Sequence, residues 1–346
     1  MGEENEIKVL ALDLGYSAIK ACYTDLEGVL QYEKFISAVA KFPEKPLEID
    51  NDVMFQVNGE YYIIGEAALH VPKSYLIEIV DYKSMKACYP ILVSFLLQRY
   101  KTYGLSFDKV AVGLSMAFNQ YADDLLSYLY ETLMINPSTN YFLCLPQGLS
   151  CKASYNEMGL SLQEKSSKTK MNSYILLDGG MLTCDFANIA SSGTTAGSCI
   201  GVEGSGVINI VNNLSDYIYK TYEFRLSNRE VQKIIEDSPQ GQFERRGRRY
   251  DVTEPMDKIC KKYLADVLNL LENKLGEAID AVDGILVCGG VSYIFRKYMN
   301  EPDMKAEIER HFPLSFLKLT ESLSEYYNCD SYLRIVQKLA REGRIK

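Results

Sequence analysis

The sequence predicts an α/β protein built as two similar halves. Three observations predict it. Strand and helix patterns are mixed along the chain in the order expected of that class. A strand–turn–strand–turn–strand unit occurs twice. A third apolar strand, Gly284 to Gly290, ends in two glycines and runs into a helix.

The first copy of the unit opens the chain. Lys8 to Leu14 reads as a buried strand and Ile19 to Tyr23 as a second. Asp25-Leu26-Glu27-Gly28 is a turn, and Val29 to Phe35 a third strand. The second copy is "YILLDGGMLTCDFANIASSG", Tyr174 to Gly193, with strands Tyr174–Leu177 and Thr183–Ile189 and a third over Thr194–Ile200. Asp13 and Asp178, Gly15 and Gly180, and Gly28 and Gly193 are each 165 residues apart. Three landmarks at one offset point to a shared plan.

Between the copies, helices are expected over Pro90–Tyr103, entered at the proline and stopped at Gly104, and over Tyr121–Leu133. Lys109–Leu114 reads as a strand between them. After the second copy, Gly206–Tyr219 looks helical, and Ser227 to Glu230 is a capping box. Pro255–Leu275 is a long amphipathic helix behind Thr253 as N-cap, and Val291–Met299 is the last helix of this series. Ser161 to Lys170 (SLQEKSSKTK) has no periodicity and suits the crossing between the halves.

Composition narrows the function. A chain of 346 residues is long enough for two domains. A net charge of -9 argues against coating nucleic acid, which needs a basic face. The nine cysteines form no Cys-x-x-Cys pair and several sit in apolar runs. They read as small buried hydrophobes of a reducing compartment. Two histidines, His70 and His311, are too few for a multi-histidine metal site. No secretory or myristoylation pattern and no transmembrane-length apolar run is visible, so a cytoplasmic location is expected.

An acid and two glycines at a strand end can be an ordinary hairpin turn. For either turn alone that reading is preferred. Glycines also let backbone N–H groups converge on an anion. The aspartate cannot bind phosphate itself, but it can hold a hydrated Mg²⁺ that does. Two such turns with the strand–Gly-Gly–helix unit favour a site for Mg²⁺ and nucleotide phosphates.

These segments resemble the signature set of the actin/heat-shock-chaperone/sugar-kinase superfamily. Leu12 to Lys20 resembles its first phosphate motif, Leu177 to Asp185 its second, and Ile285 to Val291 its adenosine motif. Within the superfamily the chain is similar to the bacterial actin-like plasmid-segregation proteins of the ParM type. Lys20, Tyr61 to Ala67, Val112 to Ser115 and Leu145-Pro146-Gln147-Gly148 carry that likeness. It implies an actin-like, ribonuclease H-like duplicated fold with two domains flanking a nucleotide cleft. Domain I would be 1–165 plus 325–346, with a subdomain at about 33–80. Domain II would be 166–324, with a subdomain at about 216–274.

The resemblance also implies roles. Asp13 and Asp178 would orient Mg²⁺ through its waters. Gly15, Tyr16 and Ser17, with Gly179, Gly180, Met181, Leu182 and Thr183, would cradle the β- and γ-phosphates. Lys20 would add positive charge, and Gln147 would position the attacking water, giving catalytic roles to Gln147 and Asp178. Gly289, Gly290 and Val291 would meet the adenosine, and Gly201 and Gly204 to Gly206 would line the purine and ribose pocket. Val291 and Met181-Leu182 stand where small or polar residues are common in the family, which leaves ATP and GTP both open.

The implied activity is an ATPase that polymerises into dynamic filaments and moves plasmid DNA through a DNA-binding adaptor, with no direct membrane contact. Two alternatives stand beside it: a metabolic kinase acting on a sugar or acid, and a membrane-anchored scaffold that hydrolyses poorly. The basic run Phe243 to Arg249 reads as a solvated loop; functionally it could touch DNA, an acidic adaptor or a neighbouring subunit, of which the resemblance puts subunit contact first. Tyr332 to Lys346 reads as a closing helix packed on the first domain.

Overall fold

The computed structural model describes residues 7–46, 54–77, 79, 81–148, 173–189, 199–237, 241–319 and 324–345. The chain divides into two compact units, Met1–Lys168 with Glu325–Lys346, and Thr169–Ser324. The predicted connector at 161–170, Gly193, and residues 194–198 of the predicted strand lie outside the described residues.

In the first unit, β1 (Val9–Leu14), β2 (Ala18–Thr24) and β3 (Leu30–Ile36) form an antiparallel meander. A small four-stranded sheet follows, in the order β5-β6-β4-β7, from β4 (Val39–Phe42), β5 (Met54–Val57), β6 (Glu60–Ile64) and β7 (Leu76–Ile77). Helix α1 (Tyr82–Thr102) leads to β8 (Lys109–Leu114), α2 (Ala122–Thr132) and β9 (Phe142–Pro146). The main sheet runs β3-β2-β1-β8-β9, with β8 and β9 parallel to β1.

Period-two alternation explains the uniformly apolar look of β1, which is buried on both faces. Leu10, Leu12 and Leu14 pack with Leu92 and Leu96 of α1. Val9 and Ala11 pack with Tyr332, Leu333 and Val336 of the C-terminal helix, Tyr327–Arg341. Each of these leucines contributes about 2 kcal/mol by burial. Asp13 falls on the face of the C-terminal helix, at the strand's end. The apolar side of that helix is therefore spent on the first unit's sheet.

The second unit repeats this plan. β10 (Tyr174–Gly179), β11 (Thr183–Ile189) and β12 (Cys199–Glu203) form the meander, and α3 (Ile208–Tyr222) follows. Then come α4 (Asn228–Asp237), β13 (Gln242–Arg245), β14 (Arg248–Asp251) and α5 (Thr253–Leu275). β15 (Ile285–Gly289), α6 (Val291–Tyr298), α7 (Pro302–His311) and β16 (Leu317–Leu319) close the unit. Its sheet runs β12-β11-β10-β15-β16, the same order and sense as the first. Ile175, Leu177, Cys184 and Phe186 face a core shared with Ile210, Leu214, Leu264 and Phe295.

Four sequence expectations are corrected. Helix α1 begins at Tyr82, not Pro90. Asp81 and Ser84 form a reciprocal capping box there, and Pro90 lies buried inside the helix. Helix α5 begins at Thr253 rather than being capped by it, because the Asp251 side chain accepts from both Thr253 N (2.9 Å) and Thr253 Oγ1 (2.6 Å). The third strand of the second meander runs on to Glu203, past the expected end at Ile200. The basic run is a β-hairpin, not a loop: Arg246 and Gly247 take φ of 50° and 71°, the left-handed pair of a tight hairpin turn. The eight described cysteines are free, and six of them are buried.

Candidate functional site

The first unit gathers Asp13, Lys20 and Gln147. Asp13 ends β1 at 3% exposure, and its cross-strand partner on β2 is Lys20. Lys20 Nζ lies 3.2 Å from Asp13 Oδ2, while Gln147 Nε2 donates to Asp13 Oδ1 at 2.5 Å. Gln147 reaches this position from the end of β9, where its N–H donates to Leu114 O (2.7 Å) and so prolongs the β8–β9 pairing. The next residue is tied down as well, since Gly148 N donates to Asn328 Oδ1 on the C-terminal helix (3.0 Å). A buried carboxylate thus has a cation on one oxygen and an amide on the other, which is how such a charge is tolerated.

The turn after Asp13 is tight. Gly15 N donates to Asp13 O (3.1 Å), and a Cβ on Gly15 would stand 2.6 Å from the Ala18 carbonyl oxygen. Its carbonyls are tied back: Tyr89 Oη donates to Leu14 O (3.0 Å), Ser37 Oγ to Gly15 O (2.7 Å) and Ser37 N to Ser17 O (3.1 Å). Tyr16 packs its ring on Phe118.

The second unit gathers Asp178 to Thr183 with the β12–α3 turn and the β15–α6 turn. Asp178 is 6% exposed and faces Asp185 across the β10–β11 ladder. Asp185 is 2% exposed and lies opposite Gly201 on β12. Gly180 N donates to Thr183 O (2.9 Å), closing the loop. Leu182 O accepts from Gly204 N (2.9 Å) and Gly206 N (3.2 Å), and Met181 O from Ile208 N (2.8 Å). Ser205 Oγ accepts from Cys184 N (3.0 Å). Burial pushes the Cys184 thiol up to about 11, and the Asp185 and Asp178 charges add to the shift.

Two glycines here are required by geometry. Gly289 has φ of 71°, and a Cβ on it would land on Asp178 Oδ1. A Cβ on Gly179 would collide with the Val291 side chain. The Val291 side chain is fully buried in the unit's core, so its backbone is what it can offer a ligand. Gly290 adjoins Gly179 O. Gly204, with φ of 75°, also borders a groove of about 550 Å³ lined by Asn209, Lys258, Lys262 and Tyr263.

Sequence reasoning named Asp13, Lys20 and Gln147 separately, and the structure puts them in one network. It passed over Asp185 as a hairpin residue. The 165-residue offset held the signal, since it maps Lys20 onto Asp185. Ser37, Ser205 and Asn328 support the turns from distant segments and carry no local motif. Among the described residues, no group of three or more His, Cys, Asp or Glu side chains forms a metal cage, and no helix is long and apolar enough to cross a membrane.

Comparison with known proteins gives concordant results for the two halves. Residues 11–135 match the family described as actin-like proteins, N-terminal domain. Residues 176–301 match the family described as archaeal actin homologue MreB-like, C-terminal. No curated protein matches the sequence. Among solved structures, a 15-stranded ParM filament from Clostridium botulinum aligns with a TM-score of 0.74 at 20% identity, covering 96% of this chain and 99% of that one. An archaeal actin homologue in complex with ADP aligns with a TM-score of 0.68 at 15% identity, covering 97% and 100%. The MamK double helical filament aligns with a TM-score of 0.64 at 16% identity, covering 95% and 98%. At these identities the structural likeness is one of fold. An actin-homologue domain is matched in each half, and the chain shares the actin-like fold of these solved structures over nearly its whole length.

Proposed function

We propose that this protein is an actin-like ATPase whose bound nucleotide governs head-to-tail self-assembly into dynamic filaments. The Asp13 network carries the reading: Gln147 is held on the buried acid of the first phosphate turn, where an amide can orient an attacking water. A glutamine there suits hydrolysis better than phosphate transfer to a sugar, which calls for a carboxylate to activate the acceptor.

Mg²⁺ fits the residues present. Asp178 and Asp185 are buried acids at paired ladder positions, and the Gly289 backbone approaches Asp178 where any side chain would collide. Asp13 and Asp178 would hold the ion through its waters, and the ion would neutralise charge on the phosphates. Gly15 and Gly180, whose N–H groups close the turns on Asp13 O and Thr183 O, would shape the two cradles, and Tyr16 and Ser17, with Gly179 and Met181 to Thr183, would face the β- and γ-phosphates. Lys20, already next to Asp13, would share its charge with the phosphates. Gly204, Gly289, Gly290 and the Val291 backbone would meet the nucleoside. The nucleotide would be ATP or GTP. Hydrolysis would weaken the subunit contact, so that growth and disassembly move a cargo. The cargo we assign is plasmid DNA, reached through a DNA-binding adaptor in the cytoplasm, in keeping with the acidic chain.

The test is light scattering on the pure protein with Mg²⁺-ATP, with phosphate release followed in the same cuvette. Scattering should rise above a critical concentration and decay as ATP is spent. Flat scattering with sugar- or acid-stimulated ATP consumption would replace this reading with that of a metabolic kinase.

A further inference from the structure

The hairpin of β13 and β14 takes no part in the nucleotide chemistry. We infer that its arginines form one side of a charge-paired contact with a second copy of this chain, and that the acidic turn after α5 forms the other side. The inference rests on the self-assembly proposed above and names the groups that make it.

Direct partners in an antiparallel ladder share a face. Phe243 therefore lies beside Tyr250, and Arg245 beside Arg248. The aromatic pair stacks at 5.2 Å and packs on Phe224 and Tyr222. Val252 N donates to Gly241 O (2.8 Å) and Tyr222 Oη to Asp251 O (2.9 Å), so the hairpin base is fixed at the start of α5. Arg245 lies over the Phe224 ring and donates to Arg225 O (3.1 Å). Arg249 donates to Gln242 Oε1. Two arginines directly opposite each other cost the hairpin stability. Among the described residues, none of Arg225, Arg245, Arg246, Arg248 and Arg249 has a carboxylate within ion-pair distance. Two lysines of the same unit do: Lys261 pairs with Glu301 and Asp303, and Lys297 with Asp257. Glu244 stands opposite Arg249 in the ladder, which leaves Arg246 and Arg248 as the cations of the tip; in a chain of net charge -9, a basic tip held against that cost points to an anionic partner.

Helix α5 supplies one on the next copy. It has 23 residues, about 35 Å, and its far end runs into Gly276–Asp283. Glu277, Asp280 and Asp283 are exposed there, behind Lys274, and Glu277 and Asp280 have no ion-pair partner among the described residues. One helix thus separates a basic end from an acidic end. A second copy displaced along that axis would set cations on acids. Such a contact is heterologous and does not close on itself, so it propagates. Nucleic acid is the weaker partner, because the chain's overall charge repels it at long range.

The experiment compares nucleotide-triggered scattering of four proteins: wild type, Arg246→Glu/Arg248→Glu, Glu277→Lys/Asp280→Lys, and the chain carrying all four changes. These exposed positions lie outside the nucleotide turns, so unchanged nucleotide affinity serves as the folding control. Each double reversal should raise the critical concentration about tenfold or more. The fourfold variant, and an equimolar mixture of the two double variants, should recover assembly. Unchanged assembly in either double variant, or no recovery on combining them, would overturn the contact while leaving the filament reading intact. Nucleotide binding without assembly in the wild type would instead remove the filament reading, and this contact with it. Assembly intact but duplex-DNA binding lost on hairpin reversal would reassign the arginines to nucleic acid.

Discussion

The two meanders share strand order, the register of their first two strands and an aspartate at the same strand end, yet they surround that aspartate differently. In the first unit, the residue seven positions on is Lys20, and Gln147 takes the other oxygen of Asp13. In the second, the residue seven positions on is Asp185, so a carboxylate faces a carboxylate across the ladder. The first turn pairs its buried acid with a lysine and an amide, and the second sets two buried acids at paired ladder positions. One plan has thus yielded an aspartate flanked by a lysine and an amide and an aspartate that faces a second acid.

That contrast can be broken at four points, here in order of expected effect. Gln147→Ala should slow hydrolysis about 100-fold with nucleotide affinity little changed, and filaments should live longer. Unchanged single-turnover hydrolysis would remove the amide from the chemistry. Asp178→Ala should weaken Mg²⁺-nucleotide binding on the order of 10- to 100-fold. If it binds like wild type in a fluorescent-nucleotide titration, the metal role is wrong.

The other two substitutions should act with opposite signs on the nucleotide-free protein. Lys20→Met leaves Asp13 buried without its cation and should cost about 2 kcal/mol in denaturant unfolding. Asp185→Asn removes a like-charge ladder pair. It should stabilise the metal-free protein by about 1 kcal/mol while lowering its Mg²⁺ affinity. Destabilisation by Asp185→Asn in metal-free buffer would mean that the two acids are not in conflict.

Much of this was legible in the sequence for a physical reason. Strands buried on both faces read as unbroken apolar runs, so β1, β8, β10 and β15 stood out, and so did the acids and glycines that end them. The 165-residue offset carried the duplication. What failed was local competition between signals. Pro90 masked a helix already begun by Asp81 and Ser84, a cap without the usual Glu. Thr253 looked like a cap, but Asp251 two residues earlier does the capping. Charge hid the period-two pairing of the hairpin, where Phe243 and Tyr250 were the only apolar markers. The bond from Gly148 to Asn328 spans 180 positions, and no local pattern can announce it.

The central claim is that the chain binds one nucleotide and that its acid turns make the binding metal-dependent. Calorimetric titration of Mg²⁺-ATP into the wild-type protein, below its critical concentration, tests it most directly. The account predicts one nucleotide per chain, with affinity falling steeply when EDTA removes the metal and falling again in Asp178→Ala. Two independent sites, or binding indifferent to both the metal and Asp178, would contradict it.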